Sequence, residues 1–192
     1  MSNESRSVLN NLCEQVAIVP VQKTRRWLRA GVSFLKGQSI TVGAFQSPRL
    51  KKVVSQWAWQ QNFDVAMCSS SALVDHLRIP ELESSRRYVD LIDVDSQKWS
   101  DYARESRGLK KWLYGQEAKR LLNVETDLQL WADGIAVVSE PEAMLYRKSS
   151  GETDLIQSIS NGVDIDYFTP DNTNVSDQNG CVFVRALDYK PN

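Results

Sequence analysis

The sequence predicts a single α/β domain on a Rossmann-like, doubly wound, mainly parallel sheet. Three observations predict it. Short runs rich in β-branched residues alternate with longer amphipathic stretches, as strands and crossover helices do in a parallel sheet. Several of those runs have near-continuous apolar centres, as strands covered by helices on both faces should. Finally, 192 residues at 42% hydrophobic content suffice to bury one domain and not, comfortably, two.

In chain order, a helix candidate at Val8 to Gln15 leads into a strand candidate, VAIVPV from Val16. A helix from Arg25 to Leu35 and another from Pro48 to Gln60 follow; Ser47 before Pro48 supplies an N-cap with proline at the first helical position. Next come strand candidates FDVAMCS from Phe63 and RYVDLID from Arg87. The segment from Gly108 to Ala132 reads as a long helix, because Leu109, Trp112, Leu113, Leu121, Val124, Leu128 and Trp131 recur near every third or fourth position and form one apolar core stripe. After it lie GIAVVS from Gly134, a helix from Pro141 to Lys148, and LIQSIS from Leu155. The polar run DNTNVSDQNG, Asp171 to Gly180, reads as a linker, and CVFVRAL from Cys181 as a fresh strand without a following helix. The chain also lacks the first strand and glycine-rich turn expected of a Rossmann-like domain, so both ends look cut.

Composition narrows the function. With 23 Lys and Arg against 24 Asp and Glu, net charge −1, the whole-chain charge argues for neither nucleic acid nor anionic membrane as a general partner. No leader-like or spanning apolar stretch occurs, so the chain reads as cytosolic. Cys13, Cys68 and Cys181 form no CxxC pair and read as small buried hydrophobes. His76 is the lone histidine; it reads as structural, and multi-histidine metal sites are hard to build.

Four strand-end motifs remain, each with two readings. In YVDLIDVDSQKWSDYA, Asp93 and Asp95 lie at and beyond a strand's carboxyl end, where open α/β sheets bind ligands. Asp95 or Ser96 equally serves to cap the next helix. SISNGVDIDYFTP carries Asn161 and Gly162, either a tight turn needing positive φ or one wall of a crevice. CSSSAL offers Ser69 and Ser70 to a sugar or phosphate, or is simply a polar loop. VVSEPEA places Glu140 at a helix start, where capping is the alternative.

Together these segments resemble the family four glycosyltransferases of the GT-B class, and within them the sugar transferases associated with the PEP-CTERM/exosortase system. The resemblance is carried in order by YVDLIDVDSQKWSDYARES, LKKWLYGQEAKRLL, GIAVVSEPEAMLYR, SNGVDIDYFTPD and VFVRALDYKPN, from Tyr88 to Asn192. It implies a metal-independent, cofactor-free enzyme that moves a sugar from a nucleotide-sugar donor to a glycan or lipid-linked acceptor in exopolysaccharide biosynthesis. Residues 1–170 would then be an acceptor-side domain, 171–180 a linker, and 181–192 the first strand of a donor-binding domain. A lipid-linked acceptor implies peripheral association with the inner face of a membrane. By this reading Asp93, where many relatives carry histidine, is the catalytic acceptor or base. Ser69, Ser70, Asp95, Glu140, Asn161 and Gly162 border the substrate. Arg185, where the family usually has glycine, pairs at most weakly with donor phosphate. A non-catalytic interaction module is the alternative expectation.

Overall fold

The structure is a computed structural model that describes residues 3–169. The expected linker, the strand from Cys181 and Arg185 lie outside those residues.

Seven helices and four strands are described: α1 (Asn3–Leu12), α2 (Lys23–Leu35), α3 (Ile40–Phe45), α4 (Pro48–Gln60), β1 (Val65–Ser69), β2 (Arg86–Ile92), α5 (Asp95–Glu105), α6 (Gly108–Leu128), β3 (Gly134–Val137), α7 (Glu140–Ser150) and β4 (Ile156–Ser158). Two short 3-10 turns, Ser71–His76 and Pro80–Leu82, connect β1 to β2. The strands form one all-parallel sheet in the order β1-β2-β3-β4, the α/β architecture that the alternation predicts and one consistent with a Rossmann-like fold.

The expectation of helices on both faces is not met among the described residues. In a monotonic strand order every crossover steps the same way, and right-handed crossovers then stack on one face. Burial agrees. Val89, Ile135 and Ile156 stand in register across three strands and are 1–2% exposed, while Val65 and Met67 on the other face are 52% and 62% exposed. On that open face the Tyr88 ring lies over Gly134, where an added Cβ would meet it at 2.7 Å.

The covered face packs against Leu128, Ala132, Ala143 and Tyr146, with Val74, Leu77, Ile79 and Leu82 from the β1–β2 connection. VAIVPV is not a strand: residues 15–22 are irregular, and Ile18 and Val21 are exposed. β-branched residues favour extended backbone, but no neighbouring strand bonds this segment and Pro20 removes a ladder donor. Only the middle and end of the predicted α6 stripe is core. Leu109 and Trp112 are exposed, and the buried face is Glu117, Leu121, Glu125 and Leu128. Of the cysteines described, Cys13 is exposed, against expectation; Cys68 is partly buried, and burial, then nearby Asp90, pushes its thiol up to about 12.

Ser47 caps α4 as expected, its Oγ accepting from Leu50 N–H. His76 is structural: Ser47 N–H donates to Nε2 at 3.3 Å and Nδ1 lies 3.2 Å from the Leu73 carbonyl, in a ring 6% exposed.

Candidate functional site

A parallel sheet places every strand's carboxyl end on one edge. Ser69 closes β1, Asp93 follows β2, Glu140 follows β3 and Asn161–Gly162 follow β4. The sequence-predicted residues therefore do share one edge, Asp93 and Asn161 included.

Their hydrogen bonds separate them into two kinds. Most are engaged in holding the edge together. Ser69 Oγ is 3.4 Å from Asp90 Oδ2, and Ser70, at φ 87, turns the chain so that its Oγ accepts from Ala72 N–H while its own N–H donates to the Asp90 carbonyl at 2.7 Å. Ser71 Oγ donates to Asp95 Oδ2 at 2.5 Å, and Lys98 Nζ pairs with Asp95 Oδ1 at 2.6 Å. Asp95 is thus the first residue of α5 with its carboxylate committed to two side chains, and the capping reading fails for it: Val94 holds the N-cap position of α5 and no side chain of the helix caps it. Glu140 accepts from Arg147 and from Ser158 Oγ, both at 2.9 Å, tying α7 to the end of β4. The Arg147 hydrogen bond, then that of Ser158, lowers the Glu140 carboxyl below its ordinary value. Ser139, not Glu140, is the N-cap of α7. Gly162 is exposed with open space around it, and positive φ among the described glycines occurs at Gly37, Gly108 and Gly151 instead, so Asn161–Gly162 is not the tight turn that dipeptide suggests.

Asp93 is of the other kind. It is half-buried, and its carboxylate has no hydrogen-bond or ion-pair partner among the described residues. The backbone that aims it is strained: Asp93 N–H bonds back to the Leu91 carbonyl at 2.9 Å around Ile92, whose φ is 68. A three-residue turn with positive φ at its centre is rare, and for a β-branched residue that conformation costs on the order of 1–3 kcal/mol. The β2–β3 register slips at the same point, between Asp90 and Ile92.

Two carboxylates that the sequence reading missed hold the strained loop down. Glu142 on α7 accepts from Val94 N–H at 2.8 Å. Glu125 on α6, fully buried, accepts from Ser96 N–H at 2.9 Å and makes a very short contact with Ser96 Oγ, while its backbone carbonyl takes the Tyr146 hydroxyl at 2.6 Å. Both satisfy free N–H groups at the start of α5, the job of a cap done from neighbouring helices. Burial raises the Glu125 carboxyl from 4.5 to about 7 against the opposing Ser96 bonds. Glu117 does the same for α3, accepting from Ser39 Oγ, Ile40 N–H and Thr41 N–H at 2.6–2.8 Å. The signal was present: Glu117, Leu121, Glu125 and Leu128 repeat at helical spacing, so both glutamates share the stripe of buried leucines.

Among the described residues no group of three or more His, Cys, Asp or Glu converges as a metal set, and no helix is long and apolar enough to cross a membrane. Comparison with family models, curated proteins and solved structures returned no match.

Proposed function

We propose that this chain is the acceptor-side, Rossmann-like half of a GT-B glycosyltransferase, with Asp93 as the group that meets the reacting hydroxyl. One observation carries the reading. Of the three aspartates after β2's midpoint, Asp90 and Asp95 are bonded into the edge, while Asp93 is held on a strained, clamped loop with its carboxylate free. Strain retained at a ligand-facing strand end is what a positioned functional group requires. Two of the segments that carry the family resemblance begin in strands, at Tyr88 and Gly134, and a third begins at Ser160, just past β4; all three run over this same edge.

In the proposed reaction an acceptor hydroxyl attacks the anomeric carbon of a nucleotide sugar. The glycosyl–oxygen bond forms, the bond to the diphosphate breaks, and the hydroxyl proton passes to Asp93. Ser69, Ser70, Glu140, Asn161 and Gly162 border the acceptor, and the donor is held elsewhere in a complete enzyme. The test is transfer of labelled hexose by an enzyme containing this domain: Asp93→Asn should lower kcat by about a hundredfold or more at unchanged thermal stability. An Asp93→Asn enzyme of full activity sinks the assignment.

A second reading, a non-catalytic interaction module, is favoured by the open sheet face, where Val65, Met67 and Ile92 stay exposed. Under that reading Met67→Asp abolishes partner association and Asp93→Asn changes nothing.

A further inference from the structure

The whole-chain charge of −1 conceals a segregation. Between Gln15 and Phe63 the chain holds eight Lys and Arg and no Asp or Glu, so this stretch carries +8 and the remainder −9. The stretch folds as α2, α3 and α4, and part of its charge converges on one cavity.

That cavity, about 480 Å³, lies between α2, the start of α4 and the turn after β1. Arg29, Lys51 and Arg78 reach it from three different elements. Its one carboxylate, Asp75, accepts from Gln46 Nε2 at 2.6 Å, and both ring nitrogens of His76 are engaged. Arg29 donates from Nη2 to the Ala44 carbonyl at 3.3 Å, but its Nε is buried without a hydrogen-bond partner. Arg78 shares its charge with Asp127 and the Trp131 ring. Lys51 is exposed and pairs with no carboxylate among the described residues. The arrangement leaves an excess of cations and the positive end of a 13-residue helix, α4, around one space.

We infer that this cavity binds a phosphate monoester. A phosphate seated between the Arg29 guanidinium and the Lys51 ammonium, which line the same space from two helices, answers the surplus positive charge. The volume admits a phosphate with a small organic group on it. None of these residues belongs to the carboxyl-edge cluster, so the inference stands without the glycosyl-transfer reading.

The phosphate could be carried by a soluble ester or a lipid headgroup, and two arms separate them. Isothermal titration of the chain with inorganic phosphate and with a hexose phosphate, at fixed ionic strength, tests the first. Flotation with phosphatidylcholine vesicles, with and without phosphatidic acid, tests the second. Saturable binding in at least one arm is expected, weakened about tenfold by Lys51→Gln and by Arg29→Gln. The exposed Lys51 carries the test if Arg29→Gln does not fold. Lys148→Gln, an exposed cation on α7, should leave binding unchanged. No binding in either arm, or equal weakening by Lys148→Gln, overturns the proposal.

Discussion

Replacing Glu125 by glutamine should make the protein more stable at mildly alkaline pH and progressively less so toward acid, relative to the native chain. The Glu125 carboxyl is fully buried between α6 and the start of α5, and its charge is met by Ser96 N–H and Oγ without a cation. Burial raises it from 4.5 to about 7, with Asp95 adding a small push in the same direction. Because the folded value lies above the unfolded one, the folded protein holds the proton more tightly. Stability from this group is therefore complete below the unfolded value and is lost as pH rises through about 7. A displacement of that size corresponds to roughly 3 kcal/mol of penalty on the charged form. Glutamine keeps the shape and an acceptor oxygen but never charges. Urea unfolding of both proteins at about pH 5 and about pH 8 should show the difference between them moving by about 2 to 3 kcal/mol in favour of Glu125→Gln. The Glu140 carboxyl, whose folded value is lowered, pulls the opposite way with pH, but it is common to both proteins and cancels. A difference that stays constant to within about 0.5 kcal/mol would refute the claim that Glu125 titrates as a buried, uncompensated acid.

Other outcomes follow from the same contacts. Glu117→Ala strips three acceptor bonds from the start of α3 and should cost about 3 kcal/mol by urea denaturation; a cost under about 1 kcal/mol means the cap is dispensable. Gly43→Ala drives a Cβ into Ser33 where α2 meets α3, so it should lower stability by about 1–3 kcal/mol, and a neutral result would show that the helices can part. Ile92→Gly relieves the positive φ beside Asp93 and should stabilise by up to about 1 kcal/mol while loosening the loop; destabilisation by as much would show the conformation is not strained. Calorimetric titration with UDP, GDP and their sugars should give dissociation constants weaker than about 10 µM, because the described strand ends present carboxylates, not glycine-rich N–H cradles, to a diphosphate. Tighter binding would reveal a donor site in the chain itself.

The parallel sheet was legible because Val89, Leu91, Ile135 and Val137 sit in short apolar runs between turn residues, and such runs need little context to be strands. Where context decides, the reading failed. VAIVPV has the composition of a strand and no neighbour to pair with. The short α3 shows little periodicity, and its start depends on Glu117 from a helix far along the chain. Apolar runs suggested two covered faces, but the side on which helices fall is set by the direction of the crossovers, which is a property of strand order and not of any one strand. At the edge, spacing placed Asp93 and Asp95 together without telling which was bonded. That distinction rests on Ser71 and Lys98, whose contacts exist only in the fold. Net charge hid the basic stretch from Gln15 to Phe63, since a sum over the chain discards position.

The central claim, a sugar-binding carboxyl edge organised around Asp93, is tested most directly by amide chemical shifts of the labelled chain titrated with a panel of soluble oligosaccharides. The account predicts saturable shifts for at least one of them, confined to the backbone around Ser69–Ser70, Asp93, Glu140 and Asn161–Gly162 and abolished by Asp93→Asn. Shifts that fall elsewhere, or that survive Asp93→Asn unchanged, would contradict it.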